Sequence, residues 1–360
     1  MNRPAHGGNL VWAAELADCS PDAILDFSAS INPLGPPASA IAAIQHQLGN
    51  LVSYPDPSYS RLRWAISQFH HISPDWILPG NGAAELLTWS ARDLAELDIT
   101  YLFTPAFSDY TRALNAFDAI IQAVPLRLGH TPSELDGLPF LHPSGSTGLL
   151  LNTPHNPTGQ LFSREFLLQC LPQCGLMVVD EAFMDFLPPD QQQSLIEWVE
   201  EYPNLVIVRS LTKFYSLPGL RLGYAIAHPD RLKRWQQWRD PWSVNSLAAA
   251  VGEVVLQDRA FQHQTWNWLA TARSQLFAGL ANLPGLYPFY SAANFLLVQS
   301  DYSVVDLQMK LLKTYKILIR DCLSFPELGD RYFRVAIRTQ AENQRLLDGL
   351  EEILVSRNGG

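Results

Sequence analysis

From about residue 75 to 245, short apolar runs alternate with longer amphipathic ones, and a polar arm of about 45 residues precedes them. This is the strand and helix rhythm of an α/β fold. The runs Ile99–Phe103, Ile120–Pro125, Gly148–Asn152, Leu176–Asp180, Leu205–Ser210 and Gly223–Ala227 predict strands. Short apolar runs of this kind suit strands covered on both faces. Ala83–Glu96 and Ser163–Leu171 carry the helical pattern between or beside them. From Asn245 to about Ala281 a long stretch with few breakers predicts helix. Shorter strands are expected at Phe295–Gln299, Ile317–Arg320 and Tyr332–Ile337, with a closing helix from about Ala341. The change of rhythm predicts a second, α+β domain. The boundaries expected are an arm and part of the small domain at 1–45, a large domain at 46–245, and a helix with the rest of the small domain at 246–360. Pro125–Ser146 reads as an irregular excursion rather than a linker.

Composition narrows the class. A chain of 360 residues that is 47% apolar can bury a large core, and its length suggests two domains. Its 35 acidic and 25 basic side chains leave a net charge of −10 without any basic run, which argues against a nucleic-acid partner. Cys19, Cys170, Cys174 and Cys322 fit reduced thiols in a cytoplasm. The C-x-x-x-C spacing of Cys170 and Cys174 lacks a second pair, so it reads as packing and no metal site is expected. The start MNRPAHGGNLVWAAEL is too polar for a secretory leader, and no apolar stretch reaches the roughly 20 residues that cross a bilayer. A soluble, cytoplasmic protein is expected.

Four segments carry chemistry. Ser210-Leu-Thr-Lys213-Phe ends a strand and is followed by Pro218-Gly-Leu-Arg221-Leu-Gly. Two hydroxyls and a guanidinium converging on one point make a phosphate site, and a lysine between them can form a Schiff base with an aldehyde held there. The alternative is a solvated surface lysine. Asp180 ends the run Gly175-Leu-Met-Val-Val-Asp, where ligands of open α/β sheets gather. A carboxylate there suits a protonated pyridine nitrogen, and equally a helix cap or a magnesium ion. Asn152-Thr-Pro-His-Asn156-Pro-Thr-Gly is a proline-pinned loop that can hold the Asn156 amide rigidly toward a ring substituent, or simply form an Asx turn. His155 in it reads as a loop histidine. Gly80-Asn-Gly82-Ala83-Ala84-Glu leads into a helix whose first amides offer an anion site, although it matches neither the Walker A pattern nor the dinucleotide fingerprint.

In this order and spacing, Gly82, Asn156, Asp180, Lys213 and Arg221 resemble the fold-type-I pyridoxal-phosphate enzymes, in the branch of class I/II aminotransferases. The resemblance implies a three-layer α/β/α large domain, a small α+β domain built from both chain ends, and a homodimer with the active site at the subunit interface. It makes Lys213 the Schiff-base lysine, Asp180 the partner of the pyridine nitrogen and Asn156 the partner of the ring 3-oxygen. Ser210, Thr212, Arg221 and the backbone at Gly82, Ala83 and Ala84 would hold the cofactor phosphate, with Tyr54 reaching it from the neighbouring subunit. Arg334, in Tyr-Phe-Arg-Val-Ala-Ile-Arg, resembles the arginine that clamps a substrate α-carboxylate. Arg338 is expected outside the pocket.

One departure matters. Most of this branch has Tyr three residues after the pyridine aspartate, and here Phe183 stands there. Further segments resemble a narrower group, the L-threonine O-3-phosphate decarboxylases of cobalamin biosynthesis: His6-Gly7-Gly-Asn, Asp26-Phe-Ser-Ala-Ser30-Ile-Asn-Pro-Leu-Gly, Arg239-Asp-Pro-Trp-Ser-Val-Asn and Ile319-Arg320-Asp-Cys. That resemblance places His6, Gly7 and Arg320 at a substrate phosphate. Ser30 would face the substrate too, where the nearest members carry asparagine. The rivals are histidinol-phosphate aminotransferase and a decarboxylase of L-serine O-phosphate. A scaffold protein of this fold would be expected to lose Lys213, which this chain keeps.

Overall fold

The computed structural model describes residues 3, 4, 6–129 and 145–358 of the chain. Its first strands are β1 (Leu25–Asp26), β2 (Ile77–Asn81), β3 (Ile99–Thr104), β4 (Ile121–Pro125) and β5 (Thr147–Asn152). They are followed by β6 (Leu176–Asp180), β7 (Leu205–Ser210) and β8 (Leu222–Ala227). The last are β9 (Leu286–Pro288), β10 (Phe295–Ser300), β11 (Ile317–Leu318), β12 (Arg320–Asp321) and β13 (Tyr332–Ala336).

Strands β2 to β8 form one sheet in the order β2-β8-β7-β6-β5-β3-β4. Only β8 runs against its neighbours β2 and β7; the others are parallel. β5, β6, β7 and β8 are buried at every position. The reason is visible in how successive side chains divide. Leu149, Leu151, Met177, Val179, Leu205 and Ile207 join one apolar cluster with Phe166, Val251 and Leu269 from helices Arg164–Cys170, Ser246–Val255 and Arg259–Ala281. Leu150, Leu176, Val178, Val206 and Val208 join the other with Leu86, Leu87 and Trp235 from helices Ala83–Leu94 and Pro229–Trp238. Alternate residues point to opposite faces, so a sheet clad on both sides needs apolar residues at every position. The result is the α/β/α layering expected of the fold type.

A second, antiparallel sheet has the order β12-β13-β10-β9, and β1 pairs in parallel with β11. Leu25 lies opposite Ile317, so the two ends of the chain meet. The segment after β1 then runs back to the large sheet: the Asn32 amide donates to the Lys213 carbonyl, and its side chain donates to the Phe214 carbonyl at 2.8 Å and to Thr265 Oγ1 at 2.9 Å.

Three expectations need correction. The helix expected across Asn245 to Ala281 is two helices, Ser246–Val255 and Arg259–Ala281. Asp258 breaks it, its carboxylate accepting from Phe261 N at 3.0 Å and from Ser39 Oγ at 2.6 Å. An N-cap of this kind starts a helix and does not continue one. Ile317–Arg320 is divided between β11 and β12, which serve different sheets. The polar arm contains two helices, Leu10–Ala17 and Ala38–Gln47. Most of the excursion expected at Pro125–Ser146, residues 130–144, lies outside the described residues. Among the described residues no helix is long and apolar enough to cross a membrane.

Candidate active site

The carboxyl ends of β5, β6 and β7 lie side by side, and each ends on a polar residue: Asn152, Asp180 and Ser210. Asn152 is directly opposite Asp180 in the register. Asp180 is buried. Its Oδ1 accepts from Ala182 N at 2.9 Å and its Oδ2 from Tyr110 Oη at 2.7 Å. Burial raises its pKa, while Lys213 and these two donors oppose the rise. Tyr110 is likewise pushed well above its usual range by burial and by Asp180.

A cavity of about 240 Å³ opens in front of Asp180. It brings together Lys213, Asn156, Asp180 and Arg334 with His6, Gly7, Ser30 and Arg320, which come from both ends of the chain. Lys213 Nζ lies 4.9 Å from the centre of the Phe183 ring. Burial is the main reason its pKa falls below the usual lysine value; Arg334 and Arg221 add to the fall and Asp180 opposes it. A neutral amine is the form that attacks a carbonyl.

Arg334 Nη1 donates to Asn156 Oδ1, and the guanidinium sits 4.6 Å from the Phe295 ring centre. Burial, with Arg320 nearby, lowers its pKa to about 10. Among the described residues Arg334 forms no ion pair with a carboxylate. A half-buried guanidinium at a cavity wall, without an anion, suits one from outside. Arg320, which is buried, donates to Ser324 Oγ at 2.7 Å and to the Pro4 carbonyl at 3.4 Å. The Ser30 hydroxyl is buried and has no partner among the described residues.

A second group converges beside this cavity. The register pairs Asn81 with Leu222 and Ser210 with Gly223, which brings Gly82, Arg221 and Ser210 to one corner of the sheet. Gly82 has φ +77°, and a Cβ on it would lie 2.5 Å from Arg221 Nη2. Any side chain there would displace the guanidinium, so the position requires glycine on two counts. Ser210 Oγ and Thr212 Oγ1 are 2.7 Å apart. Ala83 and Ala84 open helix Ala83–Leu94, whose first amides lack intrahelical acceptors. Two hydroxyls, a guanidinium and a helix N-terminus around a small cradle suit a phosphate dianion.

Tyr54 is not brought to the cavity: it is 79% exposed and stacks on Trp242 at 4.4 Å. His155 is fully buried, with Nδ1 2.8 Å from Thr158 Oγ1, and does not line the cavity. Burial alone lowers its pKa to about 3. The folded protein therefore keeps it neutral while the unfolded chain takes up a proton near pH 6.5, so stability is lost as pH falls from 6.5 toward 3. The expected slope is ~1.4 kcal/mol per pH unit from this one group. Urea unfolding at pH 6 and pH 5 should show it, and a His155→Asn protein should show a correspondingly shallower loss.

Phe107, Tyr110 and Ser324 also line the cavity and were not foreseen from the sequence. Nothing in their local pattern announces them. Tyr110 reaches Asp180 across 70 residues, and only the order of strands brings the helix Ser108–Asn115 over β6.

Residues 22–350 match the family Aminotransferase class I and II. The chain belongs to that family. It is 40% identical to threonine-phosphate decarboxylase of Salmonella typhimurium, over 97% of this chain and 96% of that relative. It is 32% identical to the adenosylcobalamin biosynthesis bifunctional protein CobDQ of Leptospira interrogans over 98% of its own length, spanning 41% of that longer protein. Among solved structures, histidinol-phosphate aminotransferase from Clostridium acetobutylicum aligns with a TM-score of 0.83 at 26% identity, covering 92% of this chain and all of that one.

The cofactor of these enzymes is pyridoxal 5′-phosphate, and the residues present fit it. The cradle at Gly82 and Arg221 would hold its phosphate, Lys213 its aldehyde, and Asp180 its pyridine nitrogen. The last fit rests on chemistry: a buried carboxylate, fixed by two donors and with its pKa raised by burial, gains in a pyridinium the cationic partner that favours its charged form.

Proposed function

We propose that this protein decarboxylates L-threonine O-3-phosphate to 1-amino-2-propanol O-2-phosphate and carbon dioxide, within cobalamin biosynthesis. One observation carries the reading: Arg334 and Arg320, with His6 and Gly7, line the same cavity as Lys213, so it offers anchors for two anionic groups. In this reading Arg334 holds the substrate carboxylate, while Arg320, His6 and Gly7 hold its phosphate. Ser30 adds a hydroxyl toward the substrate. Asn156, already bonded to Arg334, couples the carboxylate anchor to the ring substituent it faces.

Two anchors leave a small substrate little rotational freedom, and orientation selects which bond at Cα breaks. Bound pyridoxal phosphate supplies the electron sink that accepts the pair left when carbon dioxide departs. Asp180, held by Tyr110 and Ala182, would partner the pyridine nitrogen of that sink. Lys213 would hold the cofactor aldehyde and, lining the same cavity, would return a proton to Cα. Phe183, with no hydroxyl, offers Lys213 a ring face where a tyrosine would offer a donor.

Carbon dioxide release from L-threonine O-3-phosphate by the pyridoxal-phosphate-loaded protein tests the proposal, beside L-serine O-phosphate and a 2-oxoglutarate transfer assay with histidinol phosphate. Release without amino transfer supports a decarboxylase. Transfer without release makes the chain an aminotransferase. The two phosphoamino acids differ by one methyl group, worth about 1–3 kcal/mol, so a preference of roughly tenfold or more for the threonine compound is expected.

The working unit in this reading is a cytoplasmic homodimer. Tyr54 and Trp242, stacked on each other, are both exposed, as are the nearby residues in sequence Leu48, Leu51 and Val52, and exposed apolar side chains of this kind suit a partner surface. Sedimentation equilibrium is expected to give the mass of two chains, and a monomer at working concentration would remove Tyr54 from the site.

A further inference from the structure

The amino-terminal arm reaches the cavity only because something holds it there. Arg3 Nε lies 3.2 Å from Asp321 Oδ2, and Arg3 Nη2 donates to Gln308 Oε1 at 2.5 Å. The receiving groups are set from beneath. Asp321 and Gln308 are both buried; Gln308 Nε2 donates to Asp321 Oδ2 at 3.1 Å and to the Ile319 carbonyl at 2.8 Å, and Asp321 Oδ1 accepts from Leu323 N at 3.2 Å. The guanidinium thus donates one hydrogen bond to an amide already fixed in place and lies in ion-pair contact, without a hydrogen bond, with a carboxylate that is likewise fixed. The next residue, Pro4, accepts from Arg320 through its carbonyl. Beyond it the His6 ring sits 5.7 Å from that of Phe107, and Gly8 N donates to Ser28 Oγ at 2.8 Å. Gly7 is pressed so close to the Ser28 backbone that a Cβ would lie 2.2 Å from its carbonyl oxygen.

Asp321 is also the chain neighbour of Arg320. An unengaged carboxylate there would draw on the charge that Arg320 presents to the cavity. Arg3 pairs with that carboxylate, while the Arg320 guanidinium donates to Ser324 at the cavity wall and to the Pro4 carbonyl of the arm. His6 follows Arg3 by three positions, a reach of at most ~11 Å, so fixing one end limits where the other can go.

We infer that Arg3 is a positioning residue for the substrate-phosphate subsite: its pairing with Asp321 and Gln308 pins the arm so that His6 and Gly7 complete the subsite around Arg320. This rests on the proposed reading of that cavity as a site for a phosphorylated amino acid.

The experiment compares wild-type, Arg3→Ala, Arg3→Lys, Asp321→Asn and the Arg3→Ala/Asp321→Asn holoproteins. The readouts are the dissociation constant of inorganic phosphate by calorimetry, KM and kcat for carbon dioxide release, and cofactor affinity by absorbance. Arg3→Ala is expected to raise both the phosphate dissociation constant and KM by about 10- to 100-fold, the worth of one hydrogen bond from a charged group, with kcat within twofold and cofactor affinity unchanged. Arg3→Lys should recover part of the loss, and the double variant should be no worse than either single one, because the two residues act through one contact. An Arg3→Ala protein with unchanged phosphate affinity, or one that loses kcat and cofactor affinity in step with KM, overturns the inference. So do additive losses in the double variant. If the wild type releases no carbon dioxide, the decarboxylase reading fails while phosphate affinity still decides the role of Arg3. A wild type that binds no phosphate leaves no subsite to complete and ends the inference as well. Should Asp321→Asn fail to fold, the comparison of Arg3→Ala with Arg3→Lys decides between the two outcomes.

Discussion

Lys213→Ala holoprotein is expected to release carbon dioxide from L-threonine O-3-phosphate at least ~10⁴-fold more slowly than the wild type, as when a covalent nucleophile is removed from a catalytic group that acts as a unit. The loss has two sources. The amine that binds the cofactor and is exchanged for the substrate amine is gone, and so is the group placed to return a proton to Cα. Rapid-quench measurement of a single turnover separates them, because substrate bound directly to loaded protein can still lose carbon dioxide if only the proton donor is missing. A Lys213→Ala protein that completes turnover at the wild-type rate would rule out both roles. The depressed pKa of Lys213 adds a signed expectation. Covalent uptake of cofactor by the apoprotein should rise with pH and level off below the 10.5 of an ordinary lysine, since burial favours the neutral amine.

Asp180→Asn is expected to lower kcat by roughly 200- to 5,000-fold, the effect of about 3–5 kcal/mol when one partner of a buried charge pair is removed. The substitution keeps the volume and removes the charge that would partner the ring nitrogen. Tyr110→Phe provides the graded comparison. It deletes one donor to the Asp180 carboxylate, a bond worth about 1.5–3 kcal/mol, and leaves the carboxylate and the Ala182 donor in place. The loss should therefore be about 10- to 100-fold and fall on kcat more than on KM. Steady-state kinetics on the two proteins decide it: a kcat within twofold of wild type for Asp180→Asn would place the carboxylate outside the chemistry.

The six strands read from apolar runs are all present, within two residues at each end, and the reason is local. A strand clad on both faces must be apolar throughout, so its requirement is written in consecutive residues. The helix ending at Cys170 was legible for a similar reason, with Ser163 capping Phe166 N at 3.2 Å. Asp258 was legible in principle, since Asp-Arg-Ala-Phe is a capping pattern, but an apolar stretch on either side masks a break of three residues. No local pattern tells that β8 reverses direction, because a buried strand has the same composition either way.

The same division runs through the site. Lys213 with its flanking hydroxyls, Asp180 at a strand end and the Gly82 turn are visible in the sequence because the chemistry of each is confined to a few neighbouring positions. His6, Arg320 and Arg334 came from resemblance, and the cavity that collects them exists only because Leu25 pairs with Ile317 and Arg320 with Arg334. Tyr110 on Asp180, Ser324 on Arg320 and Arg3 on Asp321 had no sequence signature. By itself the sequence determined the layered sheet, the reactive lysine and the phosphate turn, since each depends on burial or hydrogen bonding among adjacent residues. The tertiary structure alone decided which distant charges share one cavity and which residues hold them there, because contacts across 70 to more than 300 residues are set by strand order and chain crossing, and neither leaves a mark on local composition.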